Sequence, residues 1–136
     1  MIRSRLAIVI SAAIVLLPHL VEAHHSGVMF EPEKQVSLEG VVKEFQYTNP
    51  HSWLIVDVTN KDGTVTAWGF EAEGPSTLMR NGVRLSDFRV GTKLTISGRP
   101  MKDGRPAAVW VKAVRADGME FYPGGRPGGR RGAPTP

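Results

Sequence analysis

Hydrophobic positions follow two regimes along this 136-residue chain. From Leu6 to Leu17 they are continuous, broken only by Ser11, with Arg3 and Arg5 ahead and Pro18 behind. From residue 36 onward they alternate with polar positions, the two-residue period of half-buried strands. The segment 36–45 is rich in Val and alternates. The segment 53–58 puts Leu54, Val56 and Val58 on one face. Asn60-Lys61-Asp62-Gly63 predicts a hairpin turn, with Gly63 free to take the positive φ that closes it. The segment 64–71 returns. Further strands are predicted over 93–98, with Leu94 and Ile96 inward, over 107–115 after a turn at Lys102-Asp103-Gly104-Arg105, and over 119–122 after Asp117-Gly118.

One segment departs from this period. Gly74-Pro75-Ser76 leads into 77–81, and Gly82 stops it, which predicts a short helix with Ser76 as N-cap and Gly82 at C′. Residues 86–89 add a further turn. Three strands, a helix and two or three more strands predict an all-β fold. The arrangement expected is a small five- to six-stranded OB-like Greek-key barrel, with one short helix between strands three and four. A small β-sandwich is the competing arrangement.

The first regime reads as a secretory signal peptide over residues 1–23, with Val21-Glu22-Ala23 before the cleavage point. Its apolar run of 12 residues is short of the roughly 20 that a spanning helix needs, so no stable membrane anchor is expected. The mature chain is expected to begin at His24 and to be periplasmic or secreted. It divides into a barrel domain, 24–122, and a Gly/Pro/Arg tail, 123–136, which has no apolar residue expected to anchor it and is expected to be disordered.

Composition changes this picture in two ways. The formal net charge of +4 belongs to the ends. Once Arg3, Arg5 and Glu22 leave with the leader and Arg126, Arg130 and Arg131 are assigned to the tail, basic and acidic residues balance in the body. A basic binding face is absent from the pattern, and no nucleic acid is expected as partner. The chain also has no cysteine. This excludes disulfides, thiol catalysis, Cys-ligated zinc and covalent haem attachment.

Three histidines remain after export: His24, His25 and His51. With His24 first, the terminal amine and the imidazole Nδ1 close one chelate ring. A second imidazole completes a three-nitrogen set of the kind Cu(II) favours. The amine titrates near about 7.7–8.0 and imidazole near about 6.5, so freeing these ligands costs little at neutral pH. His51 is the natural second imidazole, standing after Pro50 in Tyr47-Thr48-Asn49-Pro50-His51-Ser52. His25 is an auxiliary. Other chemistry is thinner. Met29, Met79, Met101 and Met119 could offer thioethers to Cu(I), but no two are close in sequence. Glu71 and Glu73 point to one face of a strand, as paired carboxylates or as a solvated strand end. Trp53, Trp68, Phe70 and Trp110 could form an aromatic platform. Ser52 beside His51 points the wrong way for a nucleophile–base pair. There is no enzyme signature.

These residues resemble a family of small exported bacterial proteins of unknown function. Its mature chains open with Ala-His-His-Ser, here Ala23 to Ser26, followed by Phe30-Glu31. A Gly-Val strand, Gly40-Val41, and an Asn-Pro-His turn, Asn49 to His51, come next. A Trp–Glu strand with Trp68 and Glu71 then leads to Pro75, Leu78, Arg80 and Gly82. Many relatives carry a bulky aromatic where this chain has Val83. The resemblance covers the body and not the tail, and it implies export and fold. The leading expectation is therefore a periplasmic metal-binding protein with copper as the ion, held by His24 and His51 with His25 in support. The alternative is a metal-free OB-type module that binds an envelope glycan, peptide or protein through its aromatic face.

Overall fold

The computed structural model describes residues 26–128. A 3-10 turn, Ser26–Met29, precedes β1 (Val36–Gln46), β2 (His51–Thr59) and β3 (Val65–Glu73). The helix α1 (Pro75–Arg80) and a 3-10 turn, Leu85–Asp87, lead to β4 (Lys93–Pro100), β5 (Ala107–Arg115) and β6 (Glu120–Phe121). The strands run in the order β3-β2-β1-β4-β5-β6, and a parallel β3–β5 pairing closes the first five into a barrel. This is the expected OB-like closure, with the helix between strands three and four.

Alternation decides what fills the barrel. Leu54, Val56 and Val58 of β2 point inward with Phe70 and Ala72 of β3, Leu94 and Ile96 of β4, and Ala108 and Trp110 of β5. The hairpin turns form where expected, with Gly63, Gly104 and Gly118 all at positive φ. One end is sealed by aromatic rings. Phe88 stands edge-on to Phe45, Trp110 and Phe121, with centroids 4.8–5.7 Å away. Edge-to-face packing of this kind adds about 0.5–1.5 kcal/mol per pair beyond burial.

The helix is anchored differently from the sequence expectation. Gly74, and not Ser76, is the N-cap; Pro75 occupies the first helical position, where its missing N–H costs nothing. The C-terminus is a Schellman motif. Gly82 adopts φ +77°, its N–H reaches Met79 O at 3.0 Å, and Val83 N–H reaches Leu78 O at 2.8 Å. Leu78 and Val83 are both fully buried, which supplies the apolar contact of that motif. The Tyr47 hydroxyl, one residue past β1, donates toward Pro75 O (3.2 Å) and Val83 O (3.0 Å), bracketing the helix.

Residues 1–25 and 129–136 fall outside the described residues, so the expected leader, His24, His25 and most of the expected tail do too. The first tail residue is described. Pro123 is buried, and its carbonyl accepts a 2.5 Å hydrogen bond from Asn81 Nδ2.

Candidate functional site

His51 is the first residue of β2, and the turn before it is tightly held. Asn49-Pro50 is cis. Thr48 Oγ1 donates to His51 O at 3.2 Å, and Ser52 Oγ donates to Thr48 O at 3.3 Å. A Cβ on Gly74 would lie 2.5 Å from Asn49 Oδ1, so the start of α1 packs directly on this turn. Ser52 faces into the barrel and is fully buried, as its alternation with His51 requires.

On the outer face, His51 stands opposite Glu73 and Trp53 opposite Glu71. His51 therefore meets Glu71 across the diagonal, and its Nδ1 lies 2.6 Å from Glu71 Oε1. Glu71 is not the solvated strand end expected of it: the residue is only 8% exposed. A proton on Nδ1 would face this carboxylate and, in a neutral ring, leave Nε2 free to act as ligand or base. A fixed tautomer and a fixed ring direction are what an imidazole ligand or base needs from its neighbour. The pairing could be read from sequence by counting outward from the Asn60–Gly63 turn, which sets Thr59 against Val65 and so His51 against Glu73.

The pair borders a cleft of about 330 Å³. The ladder between β3 and β5 ends at Glu71 opposite Val109, so beyond it the strands part and Ala72 and Trp110 are reached from outside. Glu73 and Arg99 also line the cleft. Two segments from outside the barrel complete it: Phe30 and Pro32 from the N-terminal side, and Pro123-Gly124 from the C-terminal side. Phe30 is pinned by an antiparallel bridge to Met101, and Glu31 N–H donates to Pro100 O at 2.9 Å.

Of the three expected ligands, His51 alone is among the described residues. Among those residues no three His, Asp or Glu side chains gather as a metal-binding group. The cleft offers one imidazole with its carboxylate partner and a second carboxylate, Glu73. The four aromatics do not form one platform. Phe70 and Trp110 are buried in the barrel, Trp68 packs partly against that core, and Trp53 lies on the outer face of β2.

No curated protein and no solved structure matches this chain. The model of a family of unknown function, DUF6152, matches residues 13–110, and the chain belongs to that family.

Proposed function

We propose that the protein is an exported metal-binding protein of the periplasm or secreted space, with copper as its ion. The observation that carries this reading is the 2.6 Å contact between His51 Nδ1 and the buried Glu71. A metal-ligating imidazole commonly has its second nitrogen against a carboxylate. The remaining nitrogens would come from the amine and imidazole of His24 after cleavage behind Ala23, with His25 nearby. His24 stands six residues before Phe30, a lining residue of the same cleft. With the 3-10 turn Ser26–Met29 included, that stretch spans up to about 15 Å, enough to return the terminus over His51. Amine and two imidazoles suit Cu(II).

The test is a Cu(II) titration of the processed chain, His51→Ala, and a variant with one extra residue ahead of His24. Both variants should lose affinity, and binding in the parent should fall below about pH 6 as the nitrogens protonate. Equal affinity in parent and His51→Ala would reject the shared site.

A second reading, a metal-free binding module, draws on another feature. A groove of about 840 Å³ runs over Phe45, Tyr47 and Phe88 between the exposed Met79, Leu85 and Val90. If that groove is the working surface, Leu85→Ser would weaken capture of an envelope glycan, peptide or protein partner, and the parent would bind no Cu(II).

A further inference from the structure

Phe30 and Glu71 each line two clefts. One holds His51. The other, about 460 Å³, lies toward Trp53 and is lined by Met29 and Met101. We infer that this second cleft is a site for a soft monovalent ion, Cu(I), with the thioethers of Met29 and Met101 as ligands and the indole face of Trp53 as a further contact. The inference rests on the copper reading for the identity of the metal, but its ligands are different.

The two methionines are remote in sequence and adjacent in the fold. The Phe30–Met101 bridge joins their segments, and Lys102 N–H donates to Met29 O at 2.9 Å. Neither serves the barrel core: Met29 is 48% exposed, and Met101 is half-buried. Trp53 is set on the same surface by Gly69. A Cβ there would lie 3.1 Å from Trp53 Cε3, so the ring rests where β3 has no side chain. Thioethers are soft donors that favour Cu(I), and an indole face attracts a cation through its quadrupole. The charges agree. The Glu71 carboxylate borders the cleft, while Arg105, which also lines it, is held by Asp103 at 2.7 Å. A thioether carries no proton to lose at these pH values, so affinity here should not follow imidazole titration.

Silver(I), a redox-inert stand-in for Cu(I), tests this in the processed full chain. Met29→Leu and Met101→Leu conserve volume and should leave the fold intact. Each should weaken Ag(I) binding by more than the about tenfold that loss of a supporting residue causes at a metal site. Trp53→Phe should abolish the emission change on binding. At about pH 5 the parent should keep Ag(I) while Cu(II) is released. A second measurement needs no substitution. Under peroxide, bound Ag(I) should slow sulfoxide formation at Met29 and Met101, and leave Met79 and Met119, comparably exposed at 56% and 52%, oxidising as before. Unchanged Ag(I) affinity in the Met29→Leu/Met101→Leu double variant, or equal protection of all four methionines, would overturn the site. His51→Ala separates the two readings. It should impair Cu(II) and spare Ag(I), so loss of the nitrogen site would leave this one standing, and the reverse.

Discussion

The two faces of the β2–β3 pair use one ladder for opposite purposes. Inward, Leu54, Val56, Val58, Phe70 and Ala72 are apolar and sealed by the other strands. Outward, His51, Trp53, Glu71 and Glu73 are polar or aromatic and border the clefts. Burial alone does not tell the faces apart: Glu71 is 8% exposed and Val58 is 7%. What differs is the cover. Val58 is enclosed by the barrel, whereas Glu71 lies in a seam shared with Phe30, His51 and Val109. A buried carboxylate is tolerable only when partnered, and the imidazole provides that partner.

Four measurements press on this contrast. The inner face should respond most. Phe70→Ala should cost about 3–5 kcal/mol in urea unfolding, since a fully buried ring leaves a cavity. A loss under about 1 kcal/mol would mean the barrel is not packed around it. The outer face should separate stability from binding. Glu71→Gln keeps the side-chain shape and should change unfolding by less than about 1 kcal/mol, yet lower Cu(II) affinity about 10–100-fold. Equal affinity would show that Glu71 does not orient His51.

The cleft wall gives a smaller effect. A chain ending at Tyr122 should be less stable than one ending at Gly128 by about 1–2 kcal/mol, because it loses the buried Pro123 and strands Asn81 Nδ2. Identical melts would detach that segment from the fold. Tyr47→Phe should cost least, about 1 kcal/mol for the lost hydroxyl bonds. It should also act on pH dependence. Burial, aided by the charge of Asp87, raises the Tyr47 phenol above its ordinary value. The fold thus favours the neutral phenol. That contribution is complete below the ordinary pKa of about 10 and is lost as pH rises through the raised one. Alkaline unfolding of parent and Tyr47→Phe should therefore differ in slope above about pH 10, and superimposable curves would remove the effect.

Local chemistry in the sequence was enough for much of the fold. Gly63, Gly104 and Gly118 mark turns because a positive φ is a property of single residues. Leu54, Val56 and Val58 declare their face by period alone. The helix cap departs from the sequence pattern because Ser76 offers a cap by propensity, while packing against Asn49 and Pro50 admits no side chain at Gly74. The burial of Glu71 is hidden for a related reason. Its partner is 20 positions away, and its burial comes from segments outside the hairpin. Met29 and Met101 reach one cleft through the isolated Phe30–Met101 bridge, which has no periodicity to announce it. The parallel β3–β5 closure joins strands separated by the helix and β4, which no local pattern encodes.

That closure also has a consequence in time. β2 and β3 stay in register along their whole length, whereas β3 and β5 meet only from Gly69 to Glu71, extended by Gly69 N–H to Pro106 O at 3.0 Å. Opening fluctuations of a closed sheet begin where the ladder is shortest. Amide protons along this seam should exchange with solvent faster than those of the β2–β3 ladder, by unzipping that leaves the rest of the barrel intact. Glu71 belongs to both ladders, so the carboxylate beside His51 sits on the hinge of that motion. An ion held over either neighbouring cleft would slow exchange at Gly69 first, and the amides would report occupancy before any side chain is altered.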